Sequence, residues 1–296
     1  MGSAVSIDGA LVNPESASVP VLDRGFLYGD SAFEVTRTYA GQPFALGLHL
    51  ERLRHSCAQL SIPVDVDDAT LRREVHEVLA AAGNTDAGAE SYVRVVVTRG
   101  VTALGLSLEG ELRPRRVMVA APLKVHDPKL WEEGGALATV SISRSLDGTG
   151  ASGVKASNYL PNILSLAAAH RRGAYEAISV GGGGELLEGS TSNLFLVHDG
   201  EVSTPPLEVG ILGGITRRLV MEAAAEDGAA IRERLLFPPD LYSADEAFIT
   251  SSTREVVPMV RADGVTLGGG RPGPVTQRLH AAFRRRADAL LAEERV

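Results

Sequence analysis

Two short segments constrain this chain more than any other feature of its sequence. The first is GVKASNY at 153–159, and the second is EGSTSNLF at 188–195. They contain Lys155, whose amine can bond covalently to an aldehyde, and Glu188, whose carboxylate can hold a proton on a pyridine nitrogen. Glu188 stands 33 residues after Lys155. This spacing predicts that both side chains belong to one structural unit.

An amine and a carboxylate of this kind are the groups that the chemistry of pyridoxal phosphate (PLP) most requires. Taken alone, a lysine is usually a solvated surface charge, and a glutamate before glycine and serine is often a turn residue. The prediction of a PLP site therefore depends on whether the chain also supplies a phosphate site and a substrate site.

Length and composition restrict the class of protein. A chain of 296 residues is long enough for two domains. Its content of 44% hydrophobic and 22% charged residues is typical of globular proteins. The net charge of -8 argues against a nucleic-acid-binding surface. No apolar run approaches the ~20 residues that span a bilayer, so we expect no membrane segment.

The single cysteine, Cys57, excludes an intramolecular disulfide and fits a reducing compartment. The segment 1–14 has no basic stretch followed by an apolar one, so we expect no signal peptide. Together these features predict a cytoplasmic location.

The hydrophobic pattern predicts a mixed α/β (α+β) fold in two domains. Alternation with a period of two predicts strands at 33–39, 91–98, 117–121, 138–142, 177–180, 193–197, 201–203, 229–232, 246–250 and 256–260. Apolar stripes at helical spacing predict helices at 46–60, 68–82, 160–171, 216–227 and 274–292. We interpret 123–133 as the linker between domains at 1–122 and 134–296, because the stretch 122–133 holds two prolines and mixed charges. The glycine run 181–184 is predicted to be a hairpin turn rather than a phosphate loop, because no helix follows it.

Three features could bind a phosphate group. Gly213 and Gly214 lead into a predicted helix, whose first N–H groups and dipole favour an anion. The run TSST at 250–253 ends an apolar strand with four hydroxyl groups, and Arg52 could act as a bidentate cation. Each feature also has a structural explanation, namely an N-cap threonine, a polar turn or a solvated arginine.

Paired polar residues on the predicted strands are candidates for substrate binding. Arg37 shares a strand face with Tyr39, and Tyr92 shares one with Arg94. An arginine that faces inward from a buried sheet needs an acidic partner, which an acidic substrate or a buried carboxylate would supply. An arginine on a sheet edge that faces solvent would need no acidic partner of either kind. None of the seven histidines has metal-ligand spacing with another histidine or a cysteine, so no metal is predicted.

Taken in order, Lys155, the segment 188–195, GITR at 214–217 and TSS at 250–252 resemble the class IV aminotransferases. The similarity runs from about Asp23 to the C-terminal helix. These fold-type IV PLP enzymes include branched-chain aminotransferases, D-amino-acid aminotransferases, R-selective amine transaminases and aminodeoxychorismate lyases. The resemblance implies a smaller N-terminal α/β sandwich and a larger C-terminal pseudobarrel, with PLP in the cleft and a homodimer completing each site.

The resemblance also implies a role for each matching residue. Lys155 matches the catalytic lysine that binds the cofactor covalently and carries a proton. Glu188 matches the acid paired with the ring nitrogen, Tyr159 the tyrosine on the phenolic oxygen, and Arg52 the phosphate-binding arginine. Further cofactor contacts are implied for Ser192, Asn193, Gly214, Ile215, Thr216, Ser251 and Ser252.

The substrate residues divide between two branches of the family. DRGFLYGD at 23–30 and TRG at 98–100 resemble D-amino-acid aminotransferases, in which the arginine matched by Arg99 binds the substrate carboxylate. That group carries a tyrosine where Phe33 stands and a histidine where Val101 stands.

A second resemblance, to branched-chain aminotransferases, rests on Tyr28, FEVTR at 33–37, YVR at 92–94 and NY at 158–159. The lysine of those enzymes usually precedes the tyrosine by five residues, whereas Lys155 precedes Tyr159 by four. The substrate-binding residues that we predict are Tyr28, Phe33, Arg37, Tyr92, Arg94, Arg99 and Thr253.

The resulting expectation is a PLP-dependent transaminase that moves an amino group between a hydrophobic, branched-chain L-amino acid and a 2-oxo acid such as 2-oxoglutarate. The alternatives are a D-amino-acid aminotransferase, an R-selective amine transaminase, a lyase that releases pyruvate from aminodeoxychorismate, and a non-catalytic dimeric relative.

Overall fold

A computed structural model describes residues 2–84, 90–108, 112–141 and 153–294, and the chain divides into two compact units. Unit 1 comprises Met1–Lys124 and Val154–Asn158, and unit 2 comprises Val125–Gly153 and Tyr159–Val296. The chain therefore leaves unit 1 inside the stretch that we interpreted as a linker.

The rest of that stretch is part of unit 2. It contains the short helix α4 (Lys129–Glu132; all elements are numbered in chain order). Leu130 and Trp131 pack against the core of unit 2, and the indole Nε1 of Trp131 donates a hydrogen bond of 2.9 Å to the carbonyl of Val256. Burial of these apolar side chains is favourable, which explains why the segment is folded.

Unit 1 is built on an antiparallel sheet of six strands in the order β2-β1-β6-β5-β3-β4. The strands are β1 (Ala4–Ile7), β2 (Ala10–Val12), β3 (Ser31–Tyr39), β4 (Gln42–Pro43), β5 (Ser91–Thr98) and β6 (Arg115–Pro122). The helices are α1 (Arg24–Tyr28), α2 (Leu46–Gln59) and α3 (Asp68–Ala81).

The alternation predicted for β5 is confirmed. Val93, Val95 and Val97 are buried in the core with the apolar stripes of α2 and α3, whereas Tyr92 and Arg94 lie on the less buried face. On that second face Arg37 of β3 stands opposite Tyr92, and Phe33 stands opposite Val96. The pleat thus separates an apolar face from a face that carries arginine and aromatic side chains.

Unit 2 contains a mixed sheet of nine strands, with the path β12-β11-β10-β13-β14-β7-β8-β9 and β15 beside β14. The strands are β7 (Gly135–Ser141), β8 (Glu176–Val180), β9 (Leu186–Gly189), β10 (Asn193–His198), β11 (Glu201–Thr204), β12 (Ile231–Glu233), β13 (Glu246–Ser251), β14 (Glu255–Ala262) and β15 (Val265–Thr266). The helices after α4 are α5 (Leu160–Arg171), α6 (Ile215–Glu226), α7 (Pro238–Tyr242) and α8 (Pro274–Glu293).

The aromatic core of unit 2 fixes the register of two central strands. Phe195 of β10 stands opposite Phe248 of β13, and the two rings stack with centroids 4.7 Å apart. Both rings are fully buried, so a shift of one residue would turn them out of the core. The strands that carry the cofactor motifs are therefore held in a specific register.

The glycine run 181–184 forms the predicted hairpin turn. It joins β8 to the antiparallel strand β9, the amide of Gly181 donates to the carbonyl of Glu185, and Gly184 has a φ of 85°. Strand β9 itself escaped the sequence analysis because its four residues are too short to show a period. Within the described ranges, every helix is too short or too polar to cross a membrane.

Candidate active site

Backbone hydrogen bonds place Lys155 in unit 1, beside the start of β3. Its carbonyl accepts a hydrogen bond of 3.0 Å from the amide of Phe33, and the amide of Ser157 donates to the carbonyl of Ser31 over 3.0 Å. The amide of Lys155 donates to the hydroxyl of Ser56 over 3.2 Å. The backbone on both sides of the lysine is therefore fixed by its neighbours.

This position corrects the prediction that Lys155 and Glu188 share one structural unit. Val154–Asn158 belongs to unit 1, whereas Glu188 lies on β9 in unit 2. The physical reason is the pairing of this segment with β3, which is far away in sequence and leaves no local pattern.

The side chain of Lys155 lies near an aromatic ring and a second cation. Its Nζ is 4.6 Å from the centroid of the Phe33 ring, and Cζ of Arg94 is 3.9 Å from the same centroid. Both contacts have the geometry of a cation–π interaction. Among the described residues no carboxylate forms an ion pair with Arg94. Positive charge is thus concentrated beside the lysine.

Arg52 is held by a buried carboxylate on the neighbouring strand. Its Nε and one terminal nitrogen donate to the two oxygens of Glu34, both over 2.7 Å, and the imidazole Nδ1 of His49 lies 2.7 Å from Oε2. Burial opposes ionisation of Glu34, but the charge and hydrogen bonds of Arg52, helped by His49, outweigh it and lower the pKa of Glu34 to about 2. The bidentate contact fixes the plane of the guanidinium.

His49 is neutral in this environment. Burial lowers the pKa of its imidazole, and the hydrogen bond that Glu34 accepts from it compensates only in part. We infer that Nδ1 carries the proton and donates it to Glu34, which leaves Nε2 as a buried acceptor without a hydrogen-bond partner among the described residues. Sequence reasoning missed both Glu34 and His49. One sequence feature could have indicated His49: it stands three residues before Arg52, which puts both side chains on one side of α2.

Arg37 and Tyr92, predicted to bind substrate, lie opposite each other on the less buried face of the sheet, and both are half-buried. The guanidinium of Arg37 stacks on the ring of Tyr39 at 4.3 Å, and a terminal nitrogen is 3.4 Å from a carboxylate oxygen of Glu90. A carboxylate of the protein therefore supplies the acidic partner that this arginine requires. Tyr28, at the end of α1, is 41% exposed and has Cζ of Arg24 5.0 Å from its ring centroid.

Arg99, the other candidate for binding a substrate carboxylate, forms its hydrogen bonds with groups of the protein. It is 3% exposed, and its Nε donates to Asp30 over 2.7 Å. The two terminal nitrogens donate to the carbonyls of Ser61 and Leu60, over 3.0 and 2.6 Å. Burial opposes ionisation of Asp30, but Arg99 and Arg24 together hold the pKa of its carboxyl below the ordinary value.

In unit 2, Glu188 lies next to the loop that precedes α6. One oxygen of Glu188 accepts a hydrogen bond of 3.0 Å from the amide of Leu212, and Nδ2 of Asn193 donates to the carbonyl of the same residue over 2.9 Å. A Cβ added at Gly214 would stand 2.0 Å from Oδ1 of Asn193. The close packing of this asparagine explains why glycine is required before the helix.

The start of α6 has the features of a phosphate site. Its N-cap is Gly214, which offers no side-chain oxygen to the first N–H groups of Ile215 and its successors. The hydroxyl of Thr216 is buried and has no hydrogen-bond partner within the described ranges. A buried hydroxyl without a partner is costly, and an anion at the positive end of the helix would satisfy it. These residues therefore fit the phosphate group of PLP.

The other predicted cofactor residues of unit 2 lie in two loops and at a helix start. Ser251 ends β13, and its hydroxyl accepts a hydrogen bond of 3.0 Å from Nε of Arg254. Ser252 follows in the turn between β13 and β14, together with Thr253, which was predicted to bind substrate. Ser192 donates its hydroxyl to Glu176 over 3.1 Å. Tyr159 is the N-cap of α5. In the part of the chain that the structure describes, we find no cluster of three histidine, cysteine or acidic side chains that could hold a metal ion.

Comparison with known proteins identifies the family. A family model described as amino-transferase class IV matches residues 31–262. The chain is 36% identical over 280 residues to a putative branched-chain-amino-acid aminotransferase of Methanocaldococcus jannaschii, covering 95% of each chain. It is 34% identical over 281 residues to the D-alanine aminotransferase of Listeria monocytogenes, covering 94% of each.

The fold agrees with these matches. The crystal structure of a branched-chain aminotransferase from Thermoproteus uzoniensis with norvaline superposes with a TM-score of 0.87 at 34% sequence identity, covering 99% of this chain and 96% of the other. The chain belongs to the class IV aminotransferases. It is an aminotransferase that acts on an amino acid and a 2-oxo acid, and its cofactor is PLP. The predicted family, fold and cofactor are confirmed.

The depressed pKa of Glu34 predicts an acid-dependent loss of stability. The unfolded chain takes up a proton near the ordinary pKa of 4.5, whereas the folded protein resists protonation down to about 2. The stabilisation is therefore complete above pH 4.5 and is lost as the pH falls toward 2. It amounts to about 3 kcal/mol if the whole shift is counted.

Urea unfolding of the wild type and Glu34→Gln between pH 7 and pH 3 measures this effect. The difference in unfolding free energy between the two proteins is expected to be constant above about pH 5 and to shrink below it. The matched control is Glu51→Gln, which changes an exposed glutamate of α2, the helix that carries Arg52 and His49. A difference for Glu34→Gln that stayed constant down to pH 3 would contradict the assignment.

Proposed function

We propose that this aminotransferase acts on hydrophobic L-amino acids, with branched-chain side chains preferred, and uses a 2-oxo acid such as 2-oxoglutarate as the acceptor. The observation that carries the proposal is the contrast between two arginines of unit 1. Arg99 is enclosed by Asp30 and two carbonyl groups, whereas Arg94 stacks on Phe33 beside Lys155 and forms no ion pair within the described residues.

The contacts of Arg99 argue against the D-amino-acid reading. In that reading the arginine at this position receives the substrate carboxylate. Releasing Arg99 would leave Asp30 with only Arg24 as a partner and would remove the donor to the carbonyl groups of Leu60 and Ser61. Breaking the contacts of a buried arginine costs several kcal/mol of free energy. A new ion pair with the substrate carboxylate would return a similar amount, so little net binding energy would remain.

Arg94 suits the carboxylate of a dicarboxylic acceptor. An arginine that has no acidic partner among the described residues can pair with an anionic ligand without breaking an ion pair seen in the structure. Phe33 is 2% exposed and holds the guanidinium in place through the ring contact. We assign the side-chain carboxylate of 2-oxoglutarate to Arg94.

Aromatic and apolar residues favour a hydrophobic amino donor. Phe33, Tyr28 and Tyr92 are the candidates for contacts with its side chain. The Thermoproteus uzoniensis enzyme, 34% identical to this chain, has norvaline in its structure, which is an amino acid with an unbranched hydrophobic side chain. Burial of each methylene group contributes about 0.8 kcal/mol, enough to rank hydrophobic side chains above short ones.

PLP, when bound, supplies an electron sink for the negative charge that develops on the α-carbon of the substrate. Lys155 is the residue that binds the cofactor covalently, and its Nζ moves the proton from the α-carbon when it is released. Glu188 holds the proton on the ring nitrogen, and Tyr159 donates to the phenolic oxygen.

The remaining predicted residues hold the cofactor by its phosphate and by the loops around it. We assign the phosphate to Arg52, to the amides and hydroxyl at the start of α6, and to the turn between β13 and β14. The supporting observations are the fixed guanidinium of Arg52 and the unsatisfied hydroxyl of Thr216. The residues with these roles are Arg52, Ser192, Asn193, Gly214, Ile215, Thr216, Ser251 and Ser252.

A half-reaction screen tests the substrate class. The loss of the visible absorption of bound PLP is followed after mixing with L-leucine, L-valine, D-alanine or an R-amine. We expect the L-amino acids to react at least about a hundredfold faster than D-alanine, and Lys155→Ala to lower turnover by at least about a thousandfold.

The control for Lys155→Ala is Lys124→Ala, which removes an exposed lysine of unit 1. Faster reaction of D-alanine would support the D-amino-acid reading instead. Release of pyruvate from aminodeoxychorismate without an acceptor would support the lyase. Full activity of Lys155→Ala would reject the catalytic assignment.

The role of Arg94 is tested by comparing two acceptors. Arg94→Met should raise the KM for 2-oxoglutarate about 10- to 100-fold, because a charge-assisted contact to the second carboxylate is lost. The KM for 4-methyl-2-oxopentanoate, which lacks that carboxylate, should change much less. Arg73→Met, on the exposed surface of α3, is the control. Equal changes for both acceptors would contradict the proposed contact.

We also propose that the protein is a homodimer. Leu160, Ile163 and Leu164 form a stripe on α5, and each is about 60% exposed. In unit 1, Phe26, Leu104 and Leu106 are likewise exposed, at 66%, 72% and 79%. Large apolar side chains that are exposed together favour burial against another protein surface.

Charge on the α5 stripe should weaken the dimer. Sedimentation velocity of Ile163→Glu/Leu164→Glu is expected to show a monomer at protein concentrations where the wild type is a dimer, because two buried carboxylates would be unpaired. The control is His170→Glu, which places the same charge on an exposed polar position of α5. A dimer that persists in the double variant places the interface elsewhere, and a monomeric wild type rejects the proposal.

A further inference from the structure

A buried ion pair in unit 2 lies outside the residues assigned so far. Glu176, the first residue of β8, is fully buried, and Arg254, just before β14, is 8% exposed. A terminal nitrogen of Arg254 donates to Oε2 of Glu176 over 3.1 Å. A pair of buried charges is costly unless hydrogen bonds satisfy its remaining polar atoms. The other hydrogen bonds of Glu176 and Arg254 therefore indicate the role of the ion pair.

The contacts of Glu176 organise the loop that follows β9. Its Oε1 accepts a hydrogen bond of 3.2 Å from the amide of Ser190, and its Oε2 accepts one of 3.1 Å from the hydroxyl of Ser192. A Cβ added at Gly189 would stand 3.2 Å from Cγ of Glu176 and 2.1 Å from the hydroxyl oxygen of Ser192. Glu176 thus explains both the glycine and the second serine of the EGSTS sequence.

The contacts of Arg254 reach the same loop and the turn between β13 and β14. The terminal nitrogen that binds Glu176 also donates to the hydroxyl of Thr191 over 2.8 Å and to its carbonyl over 3.3 Å. Nε donates to the hydroxyl of Ser251 over 3.0 Å. One guanidinium therefore joins the loop 190–192 to the turn 251–254.

The far end of this turn is fixed independently. Glu255 adopts a left-handed conformation with a φ of 62°, which is unfavourable for a residue with a side chain. Its carboxylate accepts hydrogen bonds from His280 over 2.8 Å and from Arg284 over 2.6 Å, both on α8. Ser252 and Thr253 thus lie between two anchored positions, and they form no side-chain hydrogen bond with the described residues.

We propose that the Glu176–Arg254 ion pair is a positioning device for phosphate recognition. It sets the turn 251–254 against the loop 190–192, so that the hydroxyls of Ser251 and Ser252 stand where the phosphate group of PLP requires donors. The inference rests on the proposed phosphate role of these two serines. A hydroxyl contributes fully only within a narrow range of distance and angle, so a small displacement of the turn weakens the contact. Neither Glu176 nor Arg254 touches the reacting atoms.

Cofactor titration separates positioning from general stability. Apo-protein is titrated with PLP and with pyridoxal, which has the same ring and no phosphate. In Arg254→Met the dissociation constant for PLP should rise about 10- to 100-fold, equivalent to roughly 1.4–2.8 kcal/mol. The constant for pyridoxal should change less than about threefold. The ³¹P resonance of bound PLP should also shift, because the donors around the phosphate move.

The matched control is Arg261→Met, which removes an exposed arginine from β14 of the same hairpin. Because Arg254→Met alone leaves the Glu176 charge buried and unpaired, Glu176→Gln/Arg254→Met provides a second variant without either charge. We expect the double variant to fold, as judged by circular dichroism, and still to bind PLP more weakly with pyridoxal affinity retained.

Unchanged PLP affinity in the folded double variant would overturn the positioning role, as would an equal loss of affinity for PLP and pyridoxal. Ser252→Ala tests the underlying assignment separately. If it binds PLP as tightly as the wild type while Arg254→Met does not, the phosphate role of the serine fails but the ion pair still controls the cofactor site.

Discussion

The backbone pairing between Val154–Asn158 and β3 is the constraint on which the candidate site of unit 1 depends. It fixes the lysine next to a strand whose alternate residues point to opposite faces. Phe33, on one face, contacts the cations of Lys155 and Arg94, and Glu34, on the other, holds Arg52. A single strand therefore determines the surroundings of the lysine and the orientation of the arginine proposed to bind phosphate.

Carboxylates of the protein fix the positions of three of the arginines described above. Glu34 orients Arg52, Asp30 encloses Arg99, and Glu176 binds Arg254. Glu34 and Asp30 stay ionised because a guanidinium compensates for the loss of hydration. Each of the three arginines loses freedom in return. Arg94 differs because an aromatic ring rather than a carboxylate holds it. This distribution of acids within the described ranges supports the proposal that Arg94, and not Arg99, receives an anionic substrate.

Much of the fold could be predicted from the sequence because its longer elements are periodic. The predicted helix at 160–171 and the strand at 91–98 match α5 and β5, and other long elements differ only by a few residues at their ends. Short elements such as β9 and α1 have too few residues to show a period. The cofactor motifs could be recognised because glycines and hydroxyl residues occur in a fixed order. Glu176 and His49 could not, because an isolated polar residue has no pattern that marks it as buried.

The sequence by itself determined the family and the cofactor, and it supplied the motifs that we propose to bind this cofactor, since these depend on local order and spacing. Tertiary structure alone decided that Lys155 belongs to unit 1, that Arg99 forms an ion pair with Asp30, and that Arg254 forms one with Glu176. The physical reason is that each of these contacts joins residues that are 69 or more positions apart in the sequence. No local period of the sequence relates such distant segments. Burial then makes the choice of partner decisive, because a buried charge or amide must find one within a few ångströms.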